Sequence, residues 1–311
     1  MKAMRPTLLL GPGAMSQPSS QEYIESLLTA TRDLGIDQID ASPVRPDQST
    51  VGNSERALGL AQASSKGFKI NTAVESDAQG RCPLNRGQIW QNVEQTLRRL
   101  DTSQVDVLYI RPPDSEALLD QQAAAMDDLF RQGKFRRLGL VDFSIPTLKD
   151  YLLACRRRGY ALPSVYLLTY NLVWRFPEPK LVPFLRENGI ALVARGALAG
   201  GLLTGRFAPE QLRVLGGGEG GRRMYGRPCF QSAAADLVAL VSPRGVGPAE
   251  AALRWLCYHS ELGGEDGVVL GATTVEQLRD CVAAVERGPL PEELVAGIER
   301  IWEGVREGVR R

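Results

Sequence analysis

The chain reads as α/β, a (β/α)8 TIM barrel forming one domain over residues 1–311. Three observations predict it. Short β-prone runs alternate with helical periodicity from one end to the other, the pattern of successive parallel βαβ units. The β-prone runs number eight, the count that closes a barrel. No early strand leads into the Gly-x-Gly-x-x-Gly turn that a doubly wound dinucleotide-binding sheet carries. The run Gly216–Gly221 matches that spacing, but no strand precedes it, so it reads as a flexible loop.

Taken in order, the β-prone runs are Thr7–Leu10, Gln38–Ala41, Phe68–Ala73, Val105–Ile110, Leu138–Phe143, Ser164–Leu168, Ile190–Ala194 and Gly267–Leu270. Helical periodicity covers Glu22–Leu34, Ser54–Ala61, Gly87–Leu100, Ser115–Gln132, Ile145–Arg157, Leu181–Glu187, Pro248–His259 and Val275–Ala284. Asp114-Ser-Glu and Ser144 are helix starts, and Gly35, Gly133 and Gly159 are stops. The longest irregular stretch runs from Phe207 to about Gln231. Long loops after barrel strands sit over the active-site face, so this one reads as a lid, or alternatively as a disordered insertion.

Charge excludes several partners. The formal net charge is +1, which favours neither nucleic acid nor a membrane surface. The arginines at the C-terminus interleave with Glu299, Glu303 and Glu307, as on a solvated helix face. The apolar run Leu8-Leu9-Leu10 is too short for a signal peptide, and no stretch approaches the roughly 20 apolar residues of a membrane span. Cys82, Cys155, Cys229, Cys257 and Cys281 are scattered and odd in number, as in a reduced, cytoplasmic protein. His259 is the only histidine and sits in a helical pattern, so it reads as structural, and no metal site is expected. The partner class left is a small-molecule substrate.

Several segments, in order, resemble the aldo-keto reductases, nearest to the branch that reduces aflatoxin aldehyde and succinic semialdehyde. They are Gly35-Ile-Asp-Gln-Ile-Asp40-Ala, Gly52-Asn-Ser-Glu55-Arg-Ala-Leu-Gly59, Val105-Asp-Val-Leu-Tyr-Ile110, Tyr170-Asn171, Leu198-Ala-Gly200-Gly-Leu-Leu-Thr-Gly205-Arg206, Ala251-Ala-Leu-Arg-Trp255 and Val269-Leu-Gly271-Ala-Thr273-Thr274-Val-Glu-Gln277-Leu. The resemblance covers nearly the whole chain. It implies an NADPH-dependent carbonyl reductase in which a Tyr gives the proton, its pKa lowered by a Lys that an Asp supports, while a His orients the substrate oxygen.

Carried over position by position, the resemblance leaves most of that machinery behind. The Asp is present as Asp40. Arg45 stands in the Tyr position, Ala73 in the Lys position and Arg111 in the His position. Lys69 has the right parity but lies four residues before Ala73, roughly 13 Å too deep at about 3.3 Å per residue. Where the family holds the nicotinamide with Ser-Asn, Gln and an aromatic ring, the chain has Val141-Asp142, Leu167 and Arg195. Leu198, Gly200, Gly205 and Arg206 keep the pyrophosphate-loop pattern, and Thr273, Thr274 and Gln277 that of the adenine end. Asp280-Cys281 departs from it.

The replacements share a direction. Arg45, Arg111 and Arg195 all fall at strand C-terminal ends or in the loops just after them, with Asp40 and Asp142 to balance part of their charge, so these five are the candidate catalytic residues. Such a pocket suits an anionic substrate or a developing enolate held by forked hydrogen bonds. The alternative is a collapsed pocket in which the arginines simply pair with the acids. Trp174 is a candidate wall of the pocket or loop packing, and Tyr225 and Cys229 are candidate acid and nucleophile or exposed loop residues. The functional expectation is a reductase barrel turned to cyclisation, isomerisation, dehydration or rearrangement of a small molecule, with NADP(H) lost or non-catalytic. The rivals are an NADPH-dependent carbonyl reductase with an atypical proton donor, and a non-catalytic barrel that binds a metabolite or partner.

Overall fold

Each strand hydrogen-bonds its sequence neighbours in parallel, and β1 closes on β8 to complete the barrel. The computed structural model describes residues 5–13, 15, 19–42, 52–75, 82, 85–113, 115–205 and 225–310. The strands are β1 (Thr7–Leu10), β2 (Gln38–Asp40), β3 (Lys69–Ala73), β4 (Val105–Ile110), β5 (Phe135–Val141), β6 (Val165–Thr169), β7 (Ala191–Arg195) and β8 (Gly267–Leu270). The helices are α1 (Gln21–Asp33), α2 (Asn53–Leu60), α3 (Arg86–Arg99), α4 (Glu116–Arg131), α5 (Ile145–Arg158), α6 (Leu181–Glu187), α7 (Pro228–Val241), α8 (Pro248–Tyr258), α9 (Val275–Glu286) and α10 (Glu292–Arg310). Arg45, Arg206 and most of the expected lid lie outside the described residues.

Local chemistry explains where the helices begin. Ser20, Ser144 and Thr274 each cap a helix by accepting from the backbone N–H three residues on, and Asn85 with Gln88 forms a reciprocal capping box. Gly159 ends α5 at φ 68°, a left-handed conformation that favours glycine.

The alternation of strand side chains divides the core in two. Leu10, Ile39, Ile70, Leu108, Ile110 and Leu140 pack outward against the helices. Leu9, Ala73, Val107, Tyr109, Val141, Leu167, Val193 and Val269 fill the barrel itself. Polar side chains at the C-terminal strand ends therefore stand on an apolar floor.

Most boundaries fall within a residue or two of expectation, and two differ by more. Strand β5 starts at Phe135 rather than Leu138 and ends before Asp142. The charged pair Arg136-Arg137 interrupts the apolar run, yet Arg136 bonds Gln104 at 2.9 Å and Arg137 pairs with Asp106, so both positions extend the strand. The irregular stretch expected to reach about Gln231 gives way at Pro228 to α7, which starts with a proline in its first turn, where a missing N–H costs nothing.

Candidate active site

Because all the strands run the same way, their C-terminal ends share one mouth. Asp40 ends β2, Ala73 ends β3, Arg111 follows β4, Asp142 follows β5 and Arg195 ends β7. Lys69 begins β3 and reaches Asp37 at 2.7 Å at the opposite end of the barrel, so it takes no part in this mouth. Among the described residues, the mouth thus gathers two guanidiniums and two carboxylates.

Asp142 is the hub. Arg111 Nη1 donates to its Oδ2, and Arg195 Nη2 donates to Oδ1 at 2.8 Å and Oδ2 at 3.0 Å. One carboxylate thereby straps β4, β5 and β7 together above Val141 and Leu167. Its backbone sits at φ 59°, a conformation L side chains rarely adopt and one that tends to persist at functional sites. The Arg111 side chain is 9% exposed, whereas that of Asp142 is 44% exposed, so the hub faces solvent while one of its cations does not. Burial pulls the Arg111 pKa down and the Asp142 charge pushes it back up. An arginine remains charged through such a shift. Gln122, fully buried on α4, donates to the Arg111 carbonyl at 2.9 Å and fixes the turn that carries it.

Asp40 stands apart from this triad. Its Oδ1 accepts from the Ser42 backbone N–H at 2.8 Å, a local turn two residues long. Burial raises its pKa, and this outweighs the opposing effects of Ser42, Arg195 and Arg111. Both described guanidiniums bond Asp142, while Asp40 feels the charges of Arg195 and Arg111 without bonding either. The mouth so described holds two cations bonded to one anion, beside a buried carboxyl whose pKa desolvation raises.

The remaining candidates divide. Trp174 is half-buried and stacks on Phe230 at 5.9 Å and 25°, with Phe176 and Tyr225 edge-on, so it packs beneath α7. Tyr225 is buried rather than an exposed loop residue. Its hydroxyl accepts from Asn171 Nδ2 at 2.9 Å, burial raises its pKa, and Arg195 lies close enough to oppose that rise. Cys229 lies on α7 against Gly308 of α10, where a β-carbon added to Gly308 would meet the cysteine Cβ at 2.5 Å, so it does not serve the mouth. His259 Nε2 accepts from the Leu290 N–H at 2.8 Å and is structural.

The cofactor-like segments that lie within the described residues have defined backbone shapes. A short 3-10 turn, Ala199–Thr204, holds Gly200 at φ 65° and Gly201 at φ 101°. Gly205 lies at φ 69°, and a β-carbon there would meet Pro248 at 2.7 Å. Leu198 caps this turn. Gln277 turns its amide oxygen onto Thr273, accepting from N at 2.9 Å and Oγ1 at 2.8 Å, while Thr274 caps α9.

Two interior residues escaped the sequence reading. Tyr109 and Asn71 are buried inside the barrel, and Tyr109 Oη and Asn71 Oδ1 have no hydrogen-bond partner among the described residues. Strand parity was the signal that could have found them, since Asn71 shares a side with Ala73, and Tyr109 with Arg111. Among the described residues no His, Cys, Asp and Glu cluster could hold a metal ion, and no helix is long and apolar enough to cross a membrane.

Comparison with known proteins adds lineage. The model of the Aldo/keto reductase family matches residues 7–303. Oxidoreductase sirO of Leptosphaeria maculans is 31% identical over 96% of this chain and 89% of its own length. Aflatoxin B1 aldehyde reductase member 4 of Homo sapiens is 30% identical over 96% of this chain and 94% of its own. The structure of the glycerol dehydrogenase AKR11B4 from Gluconobacter oxydans superposes with a TM-score of 0.72 at 24% identity, covering 94% of this chain and 90% of that one, a likeness of fold.

Proposed function

The chain belongs to the aldo/keto reductase family, and from that membership together with the groups at its mouth we propose a non-redox enzyme that moves protons on a small carbonyl or carboxylate substrate. The observation that carries this reading is the Arg111–Asp142–Arg195 triad beside a buried Asp40 of raised pKa. The cofactor positions support it. The glycine-rich turn after β7 suits a pyrophosphate, but the nicotinamide end does not suit its ring. Val141 and Leu167 offer no amide to a carboxamide, and Arg195, bound to Asp142, stands where the resemblance calls for a flat aromatic. No step is therefore routed through NADP(H).

In the proposed chemistry the outer faces of Arg111 and Arg195 hold the substrate's carboxylate or carbonyl oxygen. The Asp40 carboxylate takes the proton from the carbon next to the carbonyl. The C–H electron pair becomes the enolate double bond, and charge collects on oxygen against the guanidiniums. Returning the proton to a different carbon isomerises the substrate. Giving it to a departing β-hydroxyl releases water and dehydrates it. A carboxylate with a raised pKa is a stronger base, nearer to working pH.

The test is proton exchange in D2O followed by 1H NMR, with pyruvate and 2-oxoglutarate as probes. Enzyme-dependent loss of the α-proton signal is expected. It should be abolished in Asp40→Asn and should rise with pH through a midpoint above the ordinary 3.8 of an aspartate. Exchange that is absent, or equal in Asp40→Asn, overturns the reading. A second reading, an NADPH-dependent carbonyl reductase, is favoured by the reductase names of the relatives and by the retained turn at Gly200 and Gly205. NADPH consumption with an aldehyde, lost in Asp40→Asn, would put it first.

A further inference from the structure

We propose that the barrel interior beside Asp40 is a binding niche for a primary ammonium group, supplied by free ammonium or by the amine of a small ligand. The niche is assembled by the register of β2, β3 and β4. Asp40 pairs with Asn71, and Ala73 pairs with Tyr109. Ile39, Ile70, Leu108 and Ile110 pack against the helices, and Thr72 bonds Glu55 of α2 at 2.7 Å. Asp40, Asn71, Ala73 and Tyr109 therefore all face the barrel axis.

What they present is unmatched. Asn71 is 1% exposed and Tyr109 0% exposed, yet Asn71 Oδ1 and Tyr109 Oη find no partner among the described residues. Buried polar atoms in native proteins are nearly always paired, so two orphans on adjacent strands mark a place where something polar belongs. The rest of the inner layer is apolar, including Val107, Val141, Leu167 and Val193, so the polar atoms are confined to one side. The tyrosine ring leans toward Gly139, where a β-carbon would lie 2.2 Å from its Cδ1, while its other register neighbour, Ala73, offers only a methyl.

The chemistry of the waiting atoms selects the ligand. Asp40 and Asn71 Oδ1 are acceptors, and a phenol oxygen can accept as well as donate. The nearby guanidiniums bond Asp142 rather than Asn71 or Tyr109, and Lys69 bonds Asp37 at the other end. A compact cation with several N–H donors supplies what these oxygens lack. A tetramethylated cation, which has none, does not. This binding does not require the proton-transfer reading, and its failure leaves that reading standing.

The experiment is thermal unfolding of the full chain in ammonium chloride, methylammonium chloride, tetramethylammonium chloride and sodium chloride at matched ionic strength. Ammonium at about ten times its Kd should raise the melting temperature by roughly 2–3 °C in a protein of this size. A response to ammonium alone identifies the free ion, and an equal or larger response to methylammonium identifies an amine-bearing ligand. Asn71→Leu and Tyr109→Phe, close in shape to the parent residues, should each lose the effect. Equal melting in all four salts overturns the proposal. A second variant needs no added ligand: Ala73→Lys places a tethered ammonium among the same acceptors and should melt at or above the parent temperature. A buried lysine without waiting acceptors is severely destabilising, so a large fall in melting temperature for Ala73→Lys also overturns it.

Discussion

At the N-terminal end of the barrel Lys69 pairs with Asp37, Arg137 with Asp106 and Arg186 with Asp266, whereas at the C-terminal mouth two guanidiniums divide one carboxylate and Asp40 stands beside them bonded to a backbone amide. The first arrangement spends its charges on holding strands and helices together. Asp266 is the clearest case. Its side chain is fully buried, it takes both Nη atoms of Arg186, and it accepts from the N–H groups of Leu192 and Gly263. The second arrangement leaves hydrogen-bonding capacity turned toward solvent, which a folding role alone does not require. The contrast between Asp266 and Asp142 teaches that burial and saturation of the carboxylate, not the mere presence of charge, separate a structural ion pair from groups available to a substrate.

The largest expected effect tests the saturated end. Asp266→Ala strands two backbone donors and a guanidinium, and breaking a buried pair of this kind costs about 3–5 kcal/mol. The melting temperature should fall on the order of 10 °C, with the affinity of the mouth for 2-oxoglutarate unchanged in the folded fraction. A fall of a degree or less would show that the saturation of Asp266 contributes little.

The middle effect tests the mouth. In Arg111→Ala, Asp142 keeps Arg195 and, being 44% exposed, keeps water as well. The stability loss should therefore be only about 1–2 kcal/mol, near the worth of one charge-assisted bond. Binding of 2-oxoglutarate, measured by calorimetry, should weaken roughly ten- to a hundredfold. Arg195→Ala should lose similar affinity and less stability, since its side chain is 27% exposed against 9% for Arg111. If Arg111→Ala destabilises as much as Asp266→Ala, and the parent gains no stability from the carboxylate, the mouth is a structural ion cluster and the contrast between the two ends collapses.

Much of this was legible before any coordinates, for identifiable reasons. The barrel followed from alternation, because strand and helix periods differ and each βα unit repeats the contrast. The arginines were legible as departures from a family pattern at strand ends, where side chains converge whatever their identity. That Asp142 rather than Asp40 bonds both was not, because Arg111 and Asp142 follow different strands, which the pairing of Ile110 with Leu140 sets side by side. The start of β5 was missed because Arg136-Arg137 hides a strand whose charges are answered from β4 and its preceding turn. Tyr225 looked like a loop residue because nothing local announces that Asn171, far away in sequence, donates to its hydroxyl.

The smallest effect returns to the saturated end and to its one titrating group near neutrality. His259 closes the C-terminus of α8, and its Nε2 accepts the Leu290 N–H at 2.8 Å. Accepting that bond requires the neutral ring, and burial together with the nearby Arg254 charge holds the imidazole pKa below its ordinary 6.5. The unfolded chain therefore binds the proton first as pH falls. The contribution to stability is complete above 6.5 and is lost as pH drops toward the folded value. The ring is partly solvated, so screening keeps the effect well under 1 kcal/mol, or about a degree or two of melting temperature. His259→Gln, whose amide oxygen still accepts from Leu290, should flatten this segment of the stability profile. Because the chain has a single histidine, one imidazole resonance reports the titration directly by NMR. A midpoint at or above 6.5 would show that the lock to Leu290 does not depend on a neutral ring.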